Sequence, residues 1–406
     1  MKFRKFLKNK ELSLILEDKR LKMILIYTVC SSFVLWYGIE KVFLKDYLNL
    51  SISQIASLPL IYMISGLIFE LPSSVLADRW SRNKTLALSL VFLMSASVAG
   101  GLSRGYLDYV LAASLWSLAS SFYSGTNDAL LYDSLLDIKK EDYYLKINVL
   151  LKRIFSLSIF VATSVGSLLL TEFSPRLIYF LPVPVFLVGT IAILSIKEPS
   201  HHKINQESNT YKHIKKTFKA IASDRILLAR LLVASLLIHI AVSYLYEFMP
   251  LSFLQLGTKE SLVGVLTSIA TVLSYIILAG YVSRFKNIFW QPILITIGLL
   301  MLLLGFEVRS IPVFILVIIT AMMSYQYATD MNNAMLQSRI SSGERSSISS
   351  TMRLIAAALT VVIFYPLLNF SMNKFGDSGY LLVSAFVGFI ALALSLYVYH
   401  KQKDEI

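Results

Sequence analysis

The sequence predicts an all-α membrane protein with twelve transmembrane helices in two pseudo-symmetric six-helix bundles. Three observations carry this reading. Hydrophobic residues make up 56% of the 406-residue chain and charged residues only 16%, with a mean hydropathy of +0.66. A charged fraction below the soluble norm of about 25% leaves too little polar surface for a water-soluble globule of this size. Apolar runs recur along the whole chain, and about 20 such residues span a bilayer as a helix. Only one connection, residues 197–225, is long and polar, and it leaves six runs on each side.

The runs lie near 22–43, 53–77, 85–103, 109–137, 147–171, 177–196, 226–254, 261–283, 289–306, 311–338, 346–370 and 379–399. They define an N-terminal segment 1–22, a first bundle 23–196, a linker 197–225, a second bundle 226–399 and a tail 400–406. Residues 1–22 are basic but lack an apolar core ending in small residues, so no cleavable signal is expected. A single cysteine, Cys30, excludes an intramolecular disulfide. Most of the 38 lysines and arginines fall on the connections of one face. Basic loops stay cytoplasmic, so both termini and the linker are placed inside a bacterial cytoplasmic membrane. The net charge of +13 then reflects topology and attraction to anionic headgroups of membrane lipids, not nucleic acid. Tyr211 to Arg225 reads as an amphipathic helix on the inner leaflet.

Between the second and third runs stands a short charged knot, Ser74 to Lys84, SVLADRWSRNK. It completes a turn at one membrane face with one acid and three bases. Its spacing, small-x-x-x-Asp-Arg-x-small-Arg-x-Lys, resembles the loop 2–3 signature of the major facilitator superfamily, with Ser74 and Ser81 at its two usual glycines. The halves also repeat. Asn127-Asp128-Ala129-Leu130-Leu131 answers Asn332-Asn333-Ala334-Met335-Leu336, Arg153 answers Arg353, and Gly280 to Lys286 is a degraded copy of the knot with Arg284 at the position of Asp78. The resemblance covers the whole chain. It implies a substrate site between the bundles near the midplane and alternating access by rocking. It also implies a cytoplasmic latch. Asp78 would meet the positive N-terminal end of span 11, while Arg79 and Arg82 reach Asp133 and Asp137, which share a helix face four residues apart. The plainer reading is that Arg79, Arg82 and Lys84 are ordinary positive-inside residues.

Ionisable residues within spans are costly and point to function. Asp128 and Asp133 lie in span 4 and Arg153 at similar depth in span 5, so either acid can pair with Arg153, as a fixed tie or as a proton-linked switch. In span 10, Gln326, Asp330, Asn333 and Gln337 form one polar stripe; Asp330 and Arg353 match in depth. Span 4 carries Ser121, Gly125, Asp128 and Tyr132 in the related positions. Such stripes face a wet cavity or another helix, since lipid would leave them unsatisfied. Span 1 repeats Thr28, Ser32, Trp36 and Glu40, and span 7 repeats Ser235, His239, Ser243, Glu247 and Pro250. Glu40 and Glu247, with Tyr37, Tyr244 and Tyr246 nearby, suit an organic cation through charge and cation–π attraction. They equally suit an outer interface with an aromatic belt. His239 is either a proton carrier or a hydrogen-bonded core histidine. Glu70, two residues before Pro72, is a gate or a partner for freed backbone groups.

No Walker A sequence, metal-ligand cluster or nucleophile elbow is present. An enzyme, an ATP-driven pump, a cofactor and a bound metal are therefore not expected, and a gradient must supply the energy. The span 5 glycine–proline signature of many drug antiporters is absent, and Leu115, Trp116 and Ser117 occupy the span 4 region that often holds an arginine. Ala129 to Ser134 resembles the span 4 motif of compact efflux-like members. The reading is a monomeric, proton-coupled exporter of an amphiphilic or cationic small molecule. An importer or lipid or lysolipid flippase on the same fold is one alternative, and a non-transporting receptor or assembly partner is another.

Overall fold

The computed structural model describes residues 10–124, 126–198, 225–281, 289–338 and 355–403. Within them, side chains are not described at 10, 70–71, 74–75, 77–79, 227, 238, 275–281, 332–338 and 402–403. The described residues are helical with no strand. Internal contacts divide the chain into two compact units, residues 1–50 with 61–206, and residues 51–60 with 207–406.

The first unit opens with α1 (Lys10–Glu17), whose Leu12 and Ile15 are buried while Leu16 is exposed. Asp18 then caps α2 (Lys19–Ser31), accepting from the backbone N–H groups of Arg20 and Leu21 at 2.9 and 3.0 Å. A capping side chain of this kind satisfies donors that the first turn leaves without partners. There follow α3 (Ile52–Arg79), α4 (Arg82–Leu102), α5 (Tyr106–Tyr123), α6 (Thr126–Asp137), α7 (Tyr144–Leu168), α8 (Pro175–Phe180) and α9 (Val183–Leu194). The core forms where α4 packs on α5 and α9, and α9 on α2. In the second unit come α10 (Arg225–Ala234), a π segment Ser235–Val242, α11 (Ser243–Gln255), α12 (Glu260–Tyr281), α13 (Trp290–Glu307) and α14 (Ile311–Ser338). A π turn Thr360–Phe364 leads into α15 (Tyr365–Phe375), and α16 (Gly379–Lys403) ends the unit. Here α13 packs on α14 and α16.

Among the described residues, nine segments are long and apolar enough to cross a membrane. The last of them, Ile355–Lys401, is 47 residues long and holds the eleventh and twelfth expected spans. The eighth is represented by a shorter apolar helix, Glu260–Ser274. The fourth is not among the nine, and it is interrupted, which corrects the expected continuous span 109–137. After Tyr123 the backbone at Ser124 turns extended (φ −60°, ψ 128°), and α6 starts only at Thr126. Gly125 lies outside the described residues.

Span 1 is found as Lys19–Tyr47, but its helix too is interrupted. Its helix stops at Ser31 instead of running to residue 43. The Ser31 and Ser32 hydroxyls donate to the carbonyls of Thr28 and Val29 at 3.2 and 2.8 Å. Hydroxyls that bond back into the preceding turn compete with the helix ladder. The chain continues as a 3₁₀ turn Leu35–Gly38, a short helix Glu40–Val42 and a π turn Phe43–Tyr47. Glycines place that 3₁₀ turn against α7. A Cβ at Gly38 would collide with the carbonyl oxygen of Thr163, and a Cβ at Gly166 with that of Leu35. The second unit shows a matching device, in which the Tyr325 ring fills the space a Cβ would need at both Gly298 and Gly388.

Candidate functional site

The residues singled out from sequence fall into three groups. The first is the charged face of the first unit. Ser81 caps α4, and the Arg82 guanidinium pairs with Asp133 on α6 and also donates to the Ala129 carbonyl at 3.0 Å. Asp137, one turn further, pairs with Arg20 on α2. Lys84 stands 5.5 Å over the Trp80 ring. Asp128 lies 3.7 Å from Lys152 on α7, with both side chains substantially exposed at 44% and 66%. Arg153 is exposed. The expected pairings with Arg153 therefore give way. Asp133 is taken by Arg82 and Asp128 by Lys152, the residue just before Arg153. The side chains of Asp78 and Arg79 lie outside the described residues, although the backbone of both belongs to the end of α3.

Glu198, which the sequence reading overlooked, organises this face. Its carboxylate accepts from the Ser81 hydroxyl at 2.6 Å and from the backbone N–H groups of Arg82 and Asn83 at 2.8 and 3.4 Å. Asn83 returns a bond to the Ile196 carbonyl at 2.8 Å. A carboxylate at the first turn of α4 satisfies orphan donors and meets the positive end of the helix dipole. The root of the linker is thus fastened to the loop between α3 and α4. An acid directly after span 6, at the same face as the knot, was the signal available for it.

The second group surrounds Glu40. Glu40 and Lys41 are 5% and 4% exposed, and the Lys41 ammonium lies 2.8 Å from the carboxylate. Tyr109 on α5 donates to the other carboxylate oxygen at 2.9 Å, and its hydroxyl lies 2.9 Å from that of Tyr179 on α8. Burial of an acid is tolerable only with such partners. Glu40 therefore occupies the interior of the first unit, not a water-accessible outer interface. Trp36 is buried too, stacked on Tyr179 with ring centroids 5.7 Å apart. Ser32 is buried at the end of α2, and Ser121 on α5 faces α3, where its hydroxyl lies 3.4 Å from the Gly66 carbonyl. The breaks in spans 1 and 4 mean that neither predicted stripe is one continuous helix face.

The third group belongs to the second unit. Gln326 on α14 is buried, and its amide donates to the Tyr246 hydroxyl on α11 at 3.0 Å. His239, Ser243, Tyr246 and Glu247 are half-buried along the π segment and α11. Asp330, one turn after Gln326 on α14, is exposed. The Asn333 side chain and all of Arg353 lie outside the described residues, and with them the expected Asp330–Arg353 pair.

The family model for the Major Facilitator Superfamily matches residues 23–364. The chain belongs to the major facilitator superfamily. No curated protein matches it in sequence. Solved structures of this superfamily share the fold over nearly their whole length. A bacterial homologue of the human lysosomal transporter Spinster, in an inward-facing and occupied conformation, aligns at TM-score 0.70 and 13% identity, over 94% of this chain and 96% of its own. The nucleoside transporter NupG aligns at TM-score 0.72 and 14% identity, over 94% and 98%. A D-xylose–proton symporter aligns at TM-score 0.70 and 12% identity, over 96% and 97%. At such identities the likeness establishes the fold alone. As a superfamily member the protein is a multi-pass membrane transporter and not an enzyme.

Proposed function

We propose that this protein is a proton-coupled exporter of an amphiphilic or cationic small molecule, working by alternating access in a bacterial cytoplasmic membrane as a monomer. Both termini and the 197–225 linker lie on the cytoplasmic side. The observation that carries the proposal is Asp128. It is a carboxylate inside an apolar span, accessible, and held by a single lysine at 3.7 Å. An exposed pair of this kind is worth only ~0–1 kcal/mol, so parting Asp128 from Lys152 costs little. Asp330 on α14 offers a second accessible acid. A coupling residue must exchange its proton and partner during the cycle, and the buried Glu40, clamped by Lys41 and Tyr109, is less suited to do so.

Asp78, Arg79, Arg82, Lys84, Asp133 and Asp137 form the gate in this reading, with the Arg82–Asp133 and Arg20–Asp137 pairs holding α6 to α4 and α2. Glu247, His239, Ser243, Tyr246, Gln326 and Asn333 contribute substrate contacts. Export as the direction rests on the efflux-like motif Ala129 to Ser134. The test is transport in proteoliposomes of a cationic dye against a radiolabelled lysolipid, with the pH gradient imposed in either orientation. Extrusion of the dye toward the acidic side supports the proposal. Lysolipid movement without dye movement favours a flippase, and accumulation with the proton gradient favours an importer.

A further inference from the structure

We infer that Trp116 is a substrate-contact residue, whose indole binds a flat aromatic ring bearing a hydrogen-bond acceptor on the transported molecule. The inference deepens the transporter reading above and rests on it.

Trp116 sits ten residues into α5, about 15 Å along the helix at 1.5 Å per residue. That is half the ~30 Å hydrocarbon core. Tryptophan is ordinarily enriched at the two membrane interfaces, where its N–H meets headgroups or water. At mid-depth it needs another reason. Packing accounts for part of the ring. Tyr37, Tyr62 and Trp36 stand edge-on to it, with centroids 5.7, 5.5 and 6.3 Å away and interplanar angles of 79°, 71° and 76°. These neighbours are themselves fixed. The Tyr62 hydroxyl donates to Ser120 at 2.5 Å, and the Ser117 hydroxyl donates to the Tyr62 carbonyl at 2.6 Å. Trp36 is locked between Tyr179 and Phe186.

Two features remain unused by the protein. Trp116, Tyr37 and Tyr62 are each only half-buried. Among the described residues, the indole N–H of Trp116 donates to no protein group. A tryptophan held rigid on one side, with ring surface and a donor left over, is a preorganised half-site, which lowers the ordering cost of binding. Ring contact and N–H donation together select a planar aromatic ligand with an acceptor atom, since offset-stacked or edge-to-face pairs gain beyond simple burial. The apolar and aromatic surroundings fit the body of an amphiphile.

The test is equilibrium binding to the purified full-length protein in detergent, with no pH gradient present. Quinine carries a flat quinoline with an acceptor nitrogen. N-octylquinuclidinium keeps a cationic cage and an apolar tail but has no flat ring. Quinine is expected to bind the wild type and to weaken about tenfold in Trp116→Leu, about 1.4 kcal/mol. In Trp116→Phe, which keeps a ring but loses the N–H, the loss should be about threefold, within the range of one net hydrogen bond. N-octylquinuclidinium should lose less than either. Thermal unfolding of each variant controls for folding, and Trp116→Phe conserves most of the packing. Equal quinine affinity in wild type and Trp116→Leu, or no quinine binding by the wild type, overturns the inference. Because no gradient is involved, a failure of proton coupling leaves this result standing, and normal coupling does not rescue it.

Discussion

The two halves of the fourth span, α5 and α6, are held in place by different chemistry. Hydroxyl groups hold α5 to α3. Ser117 donates to the Tyr62 carbonyl at 2.6 Å, Tyr62 to Ser120 at 2.5 Å, and Ser73 to the Ser121 carbonyl at 2.9 Å. Ions hold α6, with Asp133 on Arg82, Asp137 on Arg20 and Asp128 on Lys152. Neutral hydroxyl bonds satisfy both partners without water, so they suit the membrane interior. Carboxylates need cations or water, and α6 runs to the charged turn where both are near. The difference teaches that the span is two parts with a joint at Ser124. One part frames Trp116 and the other bears the charges that can switch.

That contrast can be broken in order of expected effect on stability. Arg82 and Asp133 are mostly buried, so Asp133→Asn or Arg82→Ala leaves one charge stranded. A loss of about 3 kcal/mol is expected, read from unfolding in detergent, and the double variant should lose less than the two single losses together. Asp137→Asn should lose about 1–2 kcal/mol, because its partner Arg20 is a quarter exposed. Ser117→Ala removes one hydroxyl bond to backbone and should lose about 1 kcal/mol. Asp128→Asn should change stability by no more than ~1 kcal/mol, as expected of an exposed pair. Should Asp128→Asn prove as costly as Asp133→Asn, the division of α6 into structural and switching acids would collapse.

The span count, the all-helical class and the family were legible from apolar run lengths and the SVLADRWSRNK spacing, which are local properties. The breaks at Ser32 and Ser124 were not. Apolar content runs straight through both. The stop after Ser31 depends on serine hydroxyls bonding back to carbonyls and on the backbone contacts of Gly38 and Gly166 with a distant part of the chain. Periodic stripes drawn across those breaks consequently mixed residues from different faces. Charge type was legible, and partner choice was legible for Arg82 with Asp133 but not for the other acids of α6. Asp137 meets Arg20 and Asp128 meets Lys152, because several bases crowd one membrane face and only the tertiary packing selects among them. Glu40, beside Tyr37, read equally as a cavity carboxylate or as an acid at the outer interface. Its actual partners are its sequence neighbour Lys41 and Tyr109; Tyr109 comes from α5, and no sequence spacing links it to Glu40.

The most direct test of the account is substrate-dependent proton movement in proteoliposomes under an imposed pH gradient. Wild-type protein, Asp128→Asn, Asp330→Asn and, as the stability-matched control, Ser117→Ala would be compared with an amphiphilic cation as substrate. The account predicts proton flux in the wild type and in Ser117→Ala, and its loss in Asp128→Asn and Asp330→Asn with folded protein still in the membrane. Undiminished flux in both aspartate variants, or a wild type that moves substrate without moving protons, would contradict it.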